Sequence, residues 1–330
     1  MLDTVTRARE AGATLLGAAS PGEVAFGLNC SNLMFHLARA LEDGGSLQPG
    51  DNILLSRCLP APPAGLSSSC RACHDANIAP WLLLAQKTGL QVRWLETRGG
   101  GEDDSRDEVC REQVAGLLDS RTRVVSLGLA SNATGRLHTP VLDSIRQVTA
   151  GLDEKPFLVL DATHWVPHRR TSLQELGADA LVCSVYKFFG PHLGLMAFRK
   201  ERVRGLRPSK AGLRFGEGGV TDLLDYGELP DSHNCQISRW EMGTLNYEAL
   251  AGFEACVDYL ASLAPASSER SLGEAFTSIR EHEEELSATF LTRLRPLLEA
   301  GKVRLYGSRQ PGERTPTFAL AGQSVIYCII

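Results

Sequence analysis

Short apolar runs alternate with amphipathic segments over the first two thirds of the chain, an order typical of a parallel α/β sheet. Segments with apolar residues three or four positions apart are predicted to be helices. The predicted helices are Ser31–Leu41, Pro80–Thr88, Glu108–Leu118 and Pro140–Thr149. The predicted strands are Glu23–Phe26, Asn52–Leu55, Val92–Leu95, Arg123–Leu127, Phe157–Leu160, Leu181–Ser184 and Leu195–Phe198. The pattern therefore predicts an α/β fold with helices flanking a sheet.

The pattern changes after Trp240, where amphipathic helices are predicted at Tyr247–Leu263 and Gly273–Ala300 and strands at Val303–Tyr306 and Arg314–Ala321. A helix as long as the second one often connects two lobes. We predict a large domain over residues 1–265 and the beginning of a truncated C-terminal α+β domain over 266–330. Within the large domain, residues 58–72 read as an atypical insertion rich in proline and serine.

Composition narrows the classes of function. The formal net charge of −5 and the absence of a run of basic residues argue against a nucleic-acid-binding surface. No apolar stretch reaches 18 residues, which argues against a membrane span. The N-terminal residues lack the apolar core of a signal peptide. A cytoplasmic location is predicted, with a mitochondrial one left open.

Two residues suggest a specific chemistry. Asp161 follows a buried strand, and Lys187 comes just after the next strand, so both are expected at the edge of the sheet where ligands bind in open α/β folds. A lysine amine can form an imine with an aldehyde cofactor. A carboxylate can keep a pyridine nitrogen protonated, which makes the ring an electron sink. Either residue alone has an ordinary structural reading, as a solvated lysine or a capping aspartate.

Several motifs together resemble a known family. The stretch SVYKFFGPHLG, preceded by LDATH, resembles the lysine signature of class V aminotransferases, the fold-type I family that includes cysteine desulfurases. Further similar segments follow the order of that family: VAFGLNCSNLMFHLARAL, CHDANIAPW, SLGLASNATGRLHTPV and RWEMGTLNYEALAGF. The resemblance implies a large domain with a mostly parallel sheet, pyridoxal 5′-phosphate (PLP) as cofactor, and an amino acid as substrate.

The resemblance also assigns roles to residues around the cofactor ring. It implies that Lys187 holds PLP as a Schiff base and that Asp161 pairs with the pyridine nitrogen. His74 would stack on the ring, and Asn132 would donate to the phenolic oxygen. His164 stands where many relatives have Gln contacting that oxygen; it either does the same or packs in the core.

A second set of residues would hold the phosphate group. The resemblance assigns it to the Cys30 N–H, to Ser31 at a helix start, where free N–H groups favour an anion, and to Ser184 and Tyr186. Thr244 would reach the phosphate of the neighbouring subunit in a homodimer. Three of these residues have an alternative reading: Ser31 and Thr244 as ordinary helix N-caps, and Tyr186 as a packed aromatic.

Other hypotheses remain beside the enzyme. Relatives in the family extend further at both ends, which favours a catalytically inactive or truncated remnant acting as a binding or scaffold protein. A zinc site at Cys58, Cys70, Cys73 and His74 is weakly indicated, since a second ligand pair is missing from the sequence. A nucleotide-binding Rossmann domain is disfavoured, because no glycine-rich fingerprint follows the first strand.

Overall fold

The computed structural model describes residues 2–59, 74–98, 111–210, 213–216, 219–223, 237–267, 271–322 and 326–329. Most of the predicted insertion at 58–72, with Cys70 and Cys73, lies outside these ranges. The helices are α1 Leu2–Leu16, α2 Cys30–Asp43, α3 Ala79–Thr88, α4 Arg111–Leu117, α5 Thr139–Thr149, α6 Leu173–Leu176, α7 Lys200–Val203, α8 Tyr247–Ala261 and α9 Leu272–Glu299. The strands are β1 Val24–Gly27, β2 Asn52–Leu59, β3 Gln91–Arg98, β4 Thr122–Gly128, β5 Phe157–Asp161, β6 Ala180–Ser184, β7 Gly194–Phe198, β8 Leu213–Gly216, β9 Gly219–Leu223, β10 Arg304–Tyr306, β11 Phe318–Ala321 and β12 Ile326–Ile329.

The main sheet has the strand order β1-β7-β6-β5-β4-β2-β3. Strands β6, β5, β4, β2 and β3 pair in parallel, whereas β7 runs antiparallel to both of its neighbours. The prediction of a mostly parallel sheet flanked by helices is confirmed. Since β1 and β6 both run antiparallel to β7, β1 has the same direction as the parallel strands. The carboxyl ends of all strands except β7 therefore lie at the same edge of the sheet.

Both faces of the sheet are buried, as the continuous apolar runs predicted. One face packs against α1, α5 and α8, with side chains such as Leu127, Leu160 and Phe253 fully buried. The other packs against α2 and α3, with Ile53, Val159 and Trp81 in the core. A sheet covered on both sides is the usual environment for parallel strands.

A smaller sheet, β10-β11-β12, lies at the C-terminal end of the chain and is antiparallel. Leu294 and Phe290 on α9 pack against Phe318 and Leu320 on β11, in a separate apolar cluster. The division into a large domain at 1–265 and a truncated small domain at 266–330 stays a prediction. No helix in the described parts of the chain is both long and apolar enough to cross a membrane.

Candidate active site

A cavity of about 420 Å³ opens at the carboxyl edge of the main sheet. Its floor comes from the last residues of three adjacent strands, Gly128, Asp161 and Ser184. Nine of the ten predicted site residues line it: Cys30, Ser31, His74, Asn132, Asp161, His164, Ser184, Tyr186 and Lys187. They come from five separate parts of the chain, so the fold has brought together residues that the sequence keeps far apart.

Lys187 sits in a short 3₁₀ turn, Val185–Phe188, between the antiparallel strands β6 and β7. Val185 N–H donates to Leu193 O across this connection at 2.8 Å. Phe188 is fully buried, and its carbonyl accepts from the Cys256 thiol at 2.9 Å. The backbone on both sides of the lysine is therefore held firmly, while the Lys187 side chain is free to face the cavity.

Tyr186 and His192 form an aromatic pair beside Lys187. Their rings stack with centroids 4.8 Å apart and planes 14° apart. The Lys187 Nζ lies 5.3 Å from the centroid of the Tyr186 ring, within the range of a cation–π contact. His192 was not among the predicted site residues, although it stands in the same PHLG stretch of the lysine motif.

Asp161 is the last residue of β5 and is 7% exposed. Its Oδ1 accepts from Thr163 N–H at 2.9 Å and lies 3.8 Å from the Cys30 sulfur. Burial raises the pKa of the Cys30 thiol, and the nearby Asp161 carboxylate is the second largest cause of this rise. Cys30 therefore keeps its hydrogen and can donate it to Asp161.

The N-terminus of α2 faces the same cavity. Asn29 is the N-cap, and its side chain accepts from Asn32 N–H at 2.8 Å, so the alternative reading of Ser31 as the N-cap is wrong. The N–H of Cys30 donates to Ser184 Oγ at 2.9 Å, which joins two predicted phosphate ligands to each other. A Cβ on Gly194 would lie 2.7–2.8 Å from backbone atoms of Asn29, so this approach of β7 to the helix start requires glycine.

His74 and Asn132 lie on loops at the rim of the cavity. His74 Nδ1 accepts from Ala76 N–H at 3.1 Å, so a neutral ring carries its hydrogen on Nε2. The Asn132 loop is closed by a hydrogen bond from Gly135 N–H to Ser131 O at 2.9 Å. Gly135 has φ +75°, a conformation in which glycine is favoured.

His164 reaches the cavity from the turn after β5, with Nε2 close to the hydroxyls of Thr315 and Thr317. Burial, and then the charges of His168 and Lys187, lower its pKa to about 3. The ring is therefore neutral near pH 7.

Thr244 is the one predicted residue that does not line the cavity. It is exposed and lies shortly after Glu241, whose carboxylate accepts from Arg9 at 2.7 Å and from Phe26 N–H at 3.2 Å. The alternative reading of Thr244 as a helix N-cap is wrong, because the Asn246 side chain caps α8 by accepting from Ala249 N–H.

Asn77 and Thr163 are among the other lining residues that the sequence did not predict. Asn77, from the same HDAN stretch as His74, is 1% exposed and accepts from Ser126 Oγ at 2.6 Å. Thr163 follows Asp161 in LDATH. In the parts of the chain that the structure describes, no group of three or more His, Cys, Asp or Glu side chains is arranged to hold a metal ion.

The family model described as Aminotransferase class-V matches residues 1–325. The chain belongs to this family.

Relatives and solved structures agree with the class V assignment. A cysteine desulfurase from Dickeya dadantii is 28% identical over 297 residues, which are 89% of this chain and 61% of that relative. The apo cysteine desulfurase from Thermococcus onnurineus NA1 superposes with a TM-score of 0.70 at 22% identity, over 98% of this chain and 69% of that one. A C-DES mutant with glycine covalently linked to its PLP cofactor superposes with a TM-score of 0.69 at 17% identity, over 98% and 73%. These structures share the fold, and the chain spans about three fifths of the desulfurase it matches.

Proposed function

We propose that this class V aminotransferase homologue is an enzyme that binds PLP on Lys187 and acts on an amino acid. The observation that carries the proposal is the convergence of Lys187, Asp161, His74 and Asn132 on one cavity of about 420 Å³. Each of these side chains has an ordinary structural explanation when taken alone. Their arrival from four separate parts of the chain at one edge of the sheet has a chemical explanation.

The residues present fit the shape and charge of PLP. A buried carboxylate is available for the pyridine nitrogen, an imidazole face for the ring, and an amide for the phenolic oxygen. The N-terminus of α2, with Ser31 at its second position, offers N–H groups and a favourable dipole to a phosphate. When bound as a Schiff base, PLP supplies an electron-withdrawing ring that stabilises negative charge on the substrate α-carbon.

Lys187 would have a second role in moving a proton. Its amine is on a residue that lines the cavity, and it accepts a proton when neutral. Fixed backbone on either side limits the positions that Nζ can reach. We therefore assign Lys187 the movement of the substrate α-proton.

Asp161 would pair with the ring nitrogen of PLP and keep it protonated. Thr163 N–H and the Cys30 thiol donate to Oδ1 and hold the carboxyl group in place. Oδ2 is left to accept a hydrogen from the ligand, which is the contact that the electron-sink role requires.

We also propose that the active protein is a homodimer. Three large apolar side chains near the cavity mouth or the Thr244 segment are exposed: Leu28 at 73%, Phe189 at 73% and Met242 at 61%. Large apolar side chains with this degree of exposure are candidates for a protein interface. Thr244, exposed in this chain, would then meet the phosphate bound by the partner subunit.

The decisive experiment is reductive trapping of the cofactor. The folded chain, with PLP added, is treated with borohydride and digested, and the modified peptide is identified by mass spectrometry. Reduced cofactor is expected on Lys187 and is expected to be lost in Lys187→Ala. Lys302→Ala, at an exposed lysine after α9, serves as the matched control and should trap like the wild type.

Folded wild-type protein without modified Lys187 would contradict the proposal. The inactive-remnant hypothesis would then be the better explanation of the chain.

A further inference from the structure

A second cavity, of about 280 Å³, lies at the edge of the main sheet opposite to the candidate active site. Pro156 and Asp179 directly precede β5 and β6, and Arg199 directly follows the antiparallel strand β7, so all three lie where the parallel strands begin. Val125 and Leu158 form a buried apolar floor. The described residues around the two cavities are different, and the length of β5 separates them by roughly 15 Å.

The lining of this second cavity is strongly basic. Its basic side chains are Arg146, Lys155, Arg199 and Arg202, whereas Asp179 is the one acidic residue among the described residues that line it. The whole chain, in contrast, has a formal net charge of −5. A cleft with charges of one sign above an apolar floor concentrates ions of the opposite sign, so this cavity favours an anion.

The Asp179 carboxylate is already used within the protein. It is 6% exposed, its Oδ2 accepts from Leu158 N–H at 2.9 Å, and its Oδ1 lies 3.0 Å from Arg202 Nε. Arg202 Nη2 donates to Lys155 O at 3.0 Å and to Pro156 O at 3.1 Å. Within the described ranges Arg202 Nη1 makes no hydrogen bond. The guanidinium is therefore held in a fixed position with one NH₂ group left for a ligand.

Two further cations at this cavity lack a protein partner. Arg199 directly precedes α7 and is three residues from Arg202, so both side chains can leave the same side of the helical turn. The Arg199 N–H donates to Asp179 O at 2.9 Å, which fixes its backbone beside the cavity. In the parts of the chain that the structure describes, neither the Arg199 guanidinium nor the Lys155 ammonium forms a hydrogen bond or an ion pair. A bound anion would supply the missing partner.

The carbonyl end of α5 also borders the cavity, but its negative charge is outweighed. The Thr149 hydroxyl donates to Ile145 O at 2.9 Å, which satisfies one of the last carbonyls. The Arg146 side chain lies against Gly177, where a Cβ would be 3.2 Å from Nε, and Arg146 also lies 3.5 Å from Asp143. A helix end carries about half an elementary charge. The four basic side chains exceed the two nearby carboxylates by two full charges, so the cavity stays positive.

We propose that this cavity binds the phosphate group of a small molecule, either free phosphate or a small phosphate ester. The N–H groups of a guanidinium match the oxygens of a phosphate, and Arg199 and Arg202 both have such groups to offer. Lys155 adds a positive charge at the rim. A water molecule takes up about 30 Å³, so a cavity of about 280 Å³ has room for a phosphate and a small organic group. The proposal does not depend on PLP.

The Nε–H signal of Arg199 reports on this cavity directly. Spectra that correlate ¹H with ¹⁵N are recorded for cofactor-free, arginine-labelled protein at pH 6.5, and Arg199→Gln assigns the signal. We expect a saturable shift with sodium phosphate and no such shift with sodium chloride at the same ionic strength. Lys155→Gln should weaken the phosphate affinity about threefold, as expected for one exposed charge. Lys302→Gln, which removes the same charge from another exposed lysine, should bind like the wild type.

Titration with glycerol 3-phosphate distinguishes the two sources of the phosphate group. Tighter binding than that of inorganic phosphate would support an ester, and equal affinity would support free phosphate. An Arg199 signal that does not saturate with phosphate, or that moves equally with chloride, would overturn the proposal in the wild type alone. Unchanged affinity in folded Lys155→Gln would overturn it as well. Failure of borohydride trapping on Lys187 would count against the proposed function only.

Discussion

The fold lowers the pKa of buried histidines. His138 is 2% exposed, and its Nδ1 lies 2.7 Å from the carbonyl oxygen of Gly128, a residue that lines the cavity. A carbonyl only accepts, so the hydrogen lies on Nδ1. The pKa of His138 is lowered to about 4, and burial is the largest cause of this shift. Like His164, it is neutral in the folded protein near pH 7.

This neutrality predicts a loss of stability in mild acid. Because the folded-state pKa lies below the unfolded value, the unfolded chain takes up the proton first as the pH falls below about 6.5. Each such histidine should remove about 2 kcal/mol from the free energy of unfolding between pH 7 and pH 5. Below the folded-state pKa both states are protonated, and the loss from that histidine is complete.

Urea unfolding of the cofactor-free protein at pH 7 and pH 5 measures this loss. His138→Asn, which keeps a donor for Gly128 O, should show a fall smaller by about 2 kcal/mol. His282→Asn, at an exposed position of α9, should show the wild-type fall. Equal falls in wild type and His138→Asn would refute the assignment.

At the scale of residues, the sequence motifs predicted the cavity residues well, whereas residue type alone did not predict the helix N-caps. His74, Asp161 and Lys187 line one cavity, as their motifs indicated. The N-cap predictions for Ser31 and Thr244 were wrong because the N-cap is the residue directly before the first helical residue. Asn29 and Asn246 occupy those positions. The hydrogen bonds of His164 could not be predicted, since both partners lie some 150 positions away, at separations of 151 and 153.

The elements were predicted best where both faces of a strand are buried. All seven strands of the main sheet are confirmed, with shifts of a few residues at their ends. Helix α1 was missed because much of its buried face is made of small or polar residues, among them Ala8, Arg9 and Gly12, which weaken the apolar pattern. The predicted strand at Arg314–Ala321 begins only at Phe318, because residues 314–317 bind the Asn132 loop instead.

The contact between β7 and the start of α2 leads to a prediction about phosphate binding. Gly194→Ala would place a methyl group against the Asn29 backbone and displace the helix N-terminus. We expect PLP affinity, measured by titration of the visible band, to fall about tenfold or more, equivalent to about 1.4 kcal/mol. Gly116→Ala, at a helical glycine with open space around it, is the control and should bind like the wild type. Unchanged affinity in folded Gly194→Ala would exclude a phosphate role for this helix start.

At the scale of the whole molecule, Thr244 is exposed, and the proposed homodimer predicts that it completes the site of the partner subunit. Thr244→Val should weaken PLP binding without touching the cavity of its own chain. The matched control is Thr277→Val, at an exposed threonine of α9. Hybrid dimers then test whether the residue acts across the interface.

Lys187→Ala is expected to trap no cofactor, and Thr244→Val is expected to trap little when PLP is limiting. In a hybrid of the two, one site has its own Lys187 and receives Thr244 of the partner subunit. Random mixing should therefore restore trapping at about one site in four. If the mixture traps no more than the average of its two components, Thr244 does not act across an interface.

The hydrogen bond from Arg314 to Thr134, which joins residues 180 positions apart, also implies an order of events in folding. The β6–β7 connection carrying Lys187 is local in sequence, whereas the contacts of the C-terminal segment close a very long loop. Closing long loops costs more chain entropy, so such contacts form late. A chain still emerging from the ribosome can form the lysine hairpin long before residues 314–317 are available. The proposed capture of the cofactor in its final geometry would therefore wait until residues 314–317 have been synthesised.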